Sequence, residues 1–397
     1  MTPTQRLFDR DSHLFAFTAT VISVEAGDRD SLLVILDQTA FFPEGGGQYA
    51  DLGTLGGYPV TDVQESGGVI THTVSAPAGA LAIGQTVHGL LDRDVRLSRM
   101  QNHSAEHILS GIIYRRYGFA NVGFHLGDGD VTLDFDGVLT REQLDEVEDE
   151  ANAVVRACLP VRAGYPDPDA LSAMTYRAKL ALTENVRIVE IGDGDNLIDR
   201  CACCAPHVAN TGEIGIIKLL DFQHYKGGIR IHMLAGAWAL ADYRRRYTAT
   251  ATIAAALSVK QADVTDGFAR VMADAEEKKR TIATLRGRVQ SMTVASIPET
   301  EGSICYFDEG LESVEMRRLL NELKAKCGRL CGVFSGNDES GKGYSFVIGR
   351  GDEGIDLKPL AKDINTALSA RGGGSSEMLQ GSSAATRAVI EAYFKTL

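Results

Sequence analysis

The chain has 397 residues, 44% of them hydrophobic and 23% charged, with a formal net charge of −13. That length suggests two or three domains and that composition an ordinary folded core, while no run of about 20 apolar residues is present to span a membrane. The first residues, "MTPTQRLFDRDSH", lack the apolar stretch of a secretory signal, so a cytoplasmic location with all seven cysteines as thiols is expected.

The elements in chain order predict an α+β protein. "TATVISVE", "LLVILD", "VTDVQ" and "ITHTV" are β-rich runs separated by Gly, Asp and Pro. With the Gly-rich loop "FFPEGGGQYADLG" between them, they predict a small β-barrel over residues 1–93. From 94 to 246 the pattern changes to an α+β domain. "RLSRMQNHSAEHILSGIIYRRYG" has helical spacing and stops at Gly118, and "TREQLDEVEDEANAVVRACL" is a helix opened by Thr140. "VTLDFD", "RIVEIG", "EIGIIKLLDFQHY" and "GIRIHMLAG" supply strands, followed by a helix through "AWALADYRRRY". Residues 247–296 are poor in Gly and Pro with heptad-like apolar spacing, which predicts a helical arm of one or two long helices. Residues 297–397 form a small C-terminal α/β domain with strands at "ICYFDE", "CGVFSG" and "YSFVIGR". Helices follow at "MRRLLNELKAK", "LKPLAKDINTAL" and "AATRAVIEAYFKTL", and "RGGGSSEMLQGS" reads as a Gly-rich loop.

Charge is uneven. Residues 1–240 carry 18 basic and 32 acidic side chains, a net of −14, whereas residues 241–397 carry 22 and 21, a net of +1. Solvated helix faces account for the basic clusters near Arg244, Lys278 and Arg286, and a polyanionic partner is permitted without being required.

Two pairs of ligating residues carry the chemistry. His103 and His107 lie four apart in a predicted helix, so both imidazoles share one face. "CACCAPH" supplies Cys203 and His207, a thiolate and an imidazole with the same spacing. Two such pairs together suit tetrahedral Zn²⁺. Cys201 and Cys204 are bystanders on this reading; a local knuckle of Cys201, Cys203, Cys204 and His207 is the cramped alternative. "HSAEH" also fits the H-x-x-E-H helix of inverted zinc peptidases, with Glu106 as general base; an exposed helix glutamate is the plain alternative. "GNDESGKG" lacks the Ser or Thr of a phosphate-binding loop and reads as a hairpin turn, and both "GDGD" runs read as turns.

These motifs together resemble the alanyl-tRNA editing proteins in their long form, and the editing and C-terminal domains of alanyl-tRNA synthetase. "DQTAFFPEGGGQYADLGTL", "RLSRMQNHSAEHIL", "CAPHVANTGEIG" and "RGGGSSEMLQGS" carry the resemblance. The resemblance implies a hydrolase that removes serine, and perhaps glycine, from mischarged tRNA(Ala). It implies one zinc held by His103, His107, Cys203 and His207. It places Gln48 in the aminoacyl pocket, with Lys226 and Arg230 meeting phosphate or the terminal adenosine; Glu106, three residues after His103, is read beside it as a catalytic candidate that orients water or a ligand's second nitrogen. A homodimer through the arm or the C-terminal domain is the expected assembly. "CCAPH" departs from the family's C-G-G-T-H, and His232 stands where the family has Glu. A zinc peptidase and a non-catalytic tRNA-binding protein with structural zinc are the alternative readings.

Overall fold

The computed structural model describes residues 2–28, 30–178 and 186–397. The chain divides into two compact units, Met1–Ile253 and Ala254–Leu397.

In the first unit, strands Ala16–Ala26, Ser31–Leu36, Gly53–Leu55, Tyr58–Ser66, Val69–Ser75 and Thr86–Leu91 pair into a closed ring. Alternation drives it: Phe17, Ala19 and Val21 on one strand and Leu32, Val34 and Leu36 on the next all point inward and are buried. Two of its hairpins turn on Gly-Gly pairs, Gly56-Gly57 and Gly67-Gly68, all with positive φ. That conformation matches the strand twist and is open to glycine without strain.

Helix α1 (Arg93–Tyr117) follows the ring. The Asp92 carboxylate accepts from the backbone N–H groups of Asp94 and Val95 at its start, and Gly118 in the left-handed region ends it. Helix α2 (Arg141–Arg156) opens with a reciprocal Thr140–Gln143 capping box and buries Leu144, Val147, Ala151, Val154 and Val155. Both helices pack on a four-stranded antiparallel sheet ordered Ile217–Tyr225, Gly228–Ala235, Val131–Phe135, Asn121–Leu126. A three-stranded sheet of Val161–Gly164, Ile188–Ile191 and Asp199–Ala202 lies beside them. The ring and this α+β body have separate cores, and Ala205 belongs to the ring's core while Val208, three residues on, belongs to the other. The cysteine-rich segment therefore sits at the seam between two cores.

The second unit contains a five-stranded sheet with helices on both faces. The parallel pair Ile304–Phe307 and Leu330–Asn337 is joined through helix Ser313–Lys324. One expectation fails: "RGGGSSEMLQGS" is a strand pair, Ala370–Gly374 and Met378–Ser383, rather than a loop. Its glycines are what close pairing demands. A Cβ on Gly372 would lie 2.6 Å from the Phe346 ring. The expected arm is two helices, Gly236–Leu257 and Val264–Ser296, with the division between units falling inside the first.

Candidate metal centre and adjoining cavity

Helix α1 is buried on nearly every side, which explains its polar interior face. Arg96, wholly buried, grips the Asp51 carboxylate and donates to the carbonyls of Ala40 at 2.6 Å and Ser12 at 2.8 Å. Those bonds fix the helix against the ring. Two turns on, His103 and His107 present adjacent imidazoles with ring centroids 5.5 Å apart.

Cys203 and His207 come from the loop after strand Asp199–Ala202. Arg187 braces that loop, donating from Nη1 to the carbonyls of Cys203 at 3.2 Å and Ala205 at 2.8 Å. Sγ of Cys203 lies 3.5 Å from Nε2 of His103 and 3.4 Å from Nε2 of His207. The ligand atoms of His103, His107, Cys203 and His207 all fall within 4.8 Å of one another. The structure thus brings together four residues drawn from two distant segments.

The outer nitrogens are engaged as a metal site requires. Nδ1–H of His103 donates to Oε1 of Gln48 at 2.9 Å, and that of His107 donates to Oδ2 of Asp199 at 2.9 Å. Nδ1 of His207 meets the Ser104 hydroxyl at 2.9 Å. With each Nδ1 occupied, every imidazole turns Nε2 toward the shared point. Three imidazoles and a thiolate suit a borderline-soft tetrahedral ion. The donor set fits a metal.

Charge is arranged to match. Burial opposes a Cys203 thiolate, but the neighbouring His103 and His207 imidazoles favour it and hold the pKa well below that of a free thiol. Burial likewise opposes a charged His107, yet Glu106 and Asp199 hold its pKa well above the ordinary value. Burial lowers His207 to about 3 despite the nearby thiolate. Asp199 is pushed up by burial and pulled down further by His107 and Arg177, ending at about 2.

The remaining residues separate clearly. Cys201 is buried beside His107 and Asp199, outside the four-residue set, and burial raises its thiol pKa. Cys204 is solvent-facing and its thiol is pushed up to about 11. Gln48 is fully buried, bonded to His103 rather than open to solvent. Its loop is pinned by glycine: Gly47 sits at φ +85°, and a Cβ there would come 2.6 Å from the Phe124 carbonyl oxygen. Glu106 is buried, not exposed, and its Oε1 accepts from Asn121 Nδ2 at 2.6 Å and Ser110 Oγ at 2.9 Å. Its Oε2 lies 3.6 Å from Nε2 of His107.

Lys226 and Arg230 stand apart from the four donors. Lys226 forms the two-residue turn with Gly227, both at positive φ, between strands Ile217–Tyr225 and Gly228–Ala235. Arg230 is stacked 3.8 Å over the Tyr225 ring and holds Asp134 through two bonds of 2.6 and 2.7 Å. It shares the solvent-side register with His232, while Ile229, Ile231 and Met233 face the core.

A cavity of about 410 Å³ adjoins the centre, with Asn121, Thr175, Tyr176, Arg177, Asp199 and Cys201 in its wall. Arg177 donates to both oxygens of Asp199, at 2.7 and 2.8 Å, so one carboxylate faces both cavity and metal ligand. Sequence reasoning missed Asp199, Arg177, Asn121 and Ser104. Only Ser104 carried a signal: a helix-neutral hydroxyl lodged between two candidate ligands.

Comparison with known proteins relates the chain to tRNA synthetases. Residues 11–95 match the family described as tRNA synthetases class II (A), and residues 186–232 match the threonyl and alanyl tRNA synthetase second additional domain. The second match includes Cys203 and His207. Alanine–tRNA ligase of Halorubrum lacusprofundi is 32% identical across 94% of this chain and 40% of its own length. The same ligase of Methanoregula boonei is 28% identical across 96% and 42%. The chain spans about two fifths of the length of these curated relatives. Among solved structures, the C-Ala domain of Aquifex aeolicus alanyl-tRNA synthetase is 22% identical and covers 25% of this chain and 97% of its own, with a TM-score of 0.21. No helix among the described residues is long and apolar enough to cross a membrane. With two family matches and ligase relatives aligned over nearly its whole length, the chain is similar to the corresponding part of alanyl-tRNA synthetase and fits an alanyl-tRNA editing protein.

Proposed function

We propose that this protein is a cytoplasmic trans-editing hydrolase that cleaves the ester of serine, and secondarily glycine, on mischarged tRNA(Ala), with one zinc ion at the four-residue centre. The observation that carries the reading is a His103–His107–Cys203–His207 set with three buried imidazoles beside a cavity, in a chain whose relatives are alanine–tRNA ligases. Zinc bound there, with its four positions met by protein donors, would organise the pocket wall rather than take a substrate ligand. The chain's own residues do the rest. Gln48, Ser104 and Asp199 hold the imidazoles, and Arg177 presents positive charge in the cavity wall where a carbonyl oxygen gains charge. Thr175 and Asn121 offer polar atoms to a substrate hydroxyl. A cavity that pairs with serine leaves a polar group unmatched against alanine, the favourable direction for discrimination. Lys226, at an exposed turn, suits a phosphate contact, and Arg230 keeps Tyr225 as a stacking surface.

The peptidase reading asks for an open fourth position and an unencumbered carboxylate at Glu106. Four donors converge here instead, and Glu106 Oε1 already accepts two hydrogen bonds. The deciding experiment follows deacylation of serine-, glycine- and alanine-charged tRNA(Ala) by the full chain, beside a casein digest. Release of serine with alanine spared supports the proposal. Casein cleavage abolished by Glu106→Gln would replace it with a peptidase, and tRNA binding without turnover would leave a binding protein.

A further inference from the structure

A second cavity, of about 470 Å³, lies in the first unit, and its wall has no residue in common with the cavity at the metal centre. That volume falls within the ~300–1,000 Å³ of ligand pockets. Strand Ile217–Tyr225 and the residue before it supply one wall through Ile216, Leu219 and Leu220. Helix Gly236–Leu257 supplies the other through Leu240 and Tyr243, one turn apart on a shared face. Ile216, Leu240 and Tyr243 are 49%, 45% and 65% accessible, so the apolar surface stays open to solvent.

Three cations from three elements rim that surface: Arg141 at the start of α2, Lys218 on the strand and Arg246 on the helix. The first unit carries 21 basic and 33 acidic side chains, a net of −12, so this convergence runs against the charge around it. Acids face the cations too. Arg141 pairs with Asp145 at 3.0 Å, an exposed contact of little strength, and Lys218 with Glu148 at 2.6 Å. Asp242 is shared by Arg245 and Arg246, which leaves one guanidinium charge in excess.

A lone carboxylate or phosphate needs one cationic point, whereas charges spread around an apolar slot suit anions that repeat along a chain. Beyond the slot, Tyr247 is 55% accessible and lies one turn from Tyr243, with 6.4 Å between ring centroids. Aromatic surface therefore continues along the helix, as successive bases of a strand require. We propose that this groove binds single-stranded RNA: one unstacked base enters between Leu220 and Tyr243, its neighbour lies on Tyr247, and the flanking phosphates meet Arg141, Lys218 and Arg246. The groove is separate from the metal centre, and the inference rests on no hydrolytic step.

The probe is a fluorescent uridine hexamer containing one 4-thiouridine, mixed with the full chain; it carries no aminoacyl ester. Photo-crosslinking and peptide mass spectrometry are expected to place the modified base on residues 216–220 or 239–247. In fluorescence anisotropy, Tyr243→Ala is expected to weaken binding by at least about fivefold, the scale of one base stacked on an aromatic ring, and Tyr243→Phe to keep it. Arg141→Ala and Arg246→Ala are each expected to reduce the slope of log affinity against log salt by about 0.7. Crosslinks confined to other segments, or equal affinity in wild type and Tyr243→Ala, overturn the proposal. Octanoate held at this groove by a chain that binds no hexamer would make it an acyl-carboxylate site instead. Crosslinking at the groove by a chain that hydrolyses no aminoacyl ester sustains this inference and removes only the proposed editing activity.

Discussion

Gln48 and His103 are 55 residues apart in sequence, yet the Gln48 side-chain oxygen accepts the His103 Nδ1 proton at 2.9 Å. The bond joins the glycine loop of the first ring to the helix that carries half of the donor set. Because Gln48 is fully buried, it acts through His103. Gln48→Ala is expected to lower metal affinity by about 10- to 100-fold in a chelator competition, and Gln48→Glu, which retains an acceptor, to lose far less. Equal affinity in wild type and Gln48→Ala would refute the positioning role.

The three clustered cysteines make a sharp test of ligand identity. Cys203→Ser is expected to abolish stoichiometric metal, measured by elemental analysis after dialysis, while Cys201→Ser and Cys204→Ser keep one ion per chain. Loss of metal in Cys204→Ser with retention in Cys203→Ser reverses the assignment.

The glycine loop should be intolerant at one position in particular. Gly47→Ala meets both positive φ and the Phe124 carbonyl at 2.6 Å, whereas Gly57→Ala meets positive φ in open space. Gly47→Ala is expected to cost about 1–3 kcal/mol in urea unfolding, and Gly57→Ala to stay near the lower end of that range. Equal costs would mean that the loop is free to withdraw from the strand beneath it.

Acid should loosen the ring through His72. Burial holds its pKa down at about 4 against an ordinary 6.5, with Nδ1 on the Val34 carbonyl at 3.1 Å. The folded state therefore binds this proton less readily than the unfolded chain. Its contribution is whole above pH 6.5 and is lost as pH falls from there through 4, up to about 3 kcal/mol. The urea midpoint of the wild type is expected to fall across that window, and that of His72→Gln to fall less. Parallel pH profiles would remove His72 as the cause.

Much of this architecture was legible. Apolar alternation marked Ala16–Ala26 and Ser31–Leu36, capping marked α2 at Thr140, and Gly118 marked the end of α1. The strand pair at Ala370–Gly374 was hidden because three consecutive glycines have no side chains to alternate. At the centre, ligand types and spacing pointed to His103, His107, Cys203 and His207. Asp199 and Arg177 were invisible for a different reason: an acid and a base 22 residues apart mean nothing until a fold sets them 2.7 Å apart. Glu106 kept an exposed alternative because the pattern of α1 does not announce that the helix is covered on nearly all sides.

The spacing between the two ligand pairs also sets an order of events during synthesis. Every strand of the ring is complete by Leu91, but Cys203 follows His107 by 96 residues. Closing a chain segment of that length costs on the order of 4 kcal/mol in entropy. A growing chain therefore displays two imidazoles on α1 well before any sulfur from the cysteine-rich loop leaves the ribosome. Until then the helix face that ends up sealed at the seam is bare, and the ring must wait for Ala205 to finish its core. The last stretch to arrive both plugs the first domain and supplies the donors that the helix lacks.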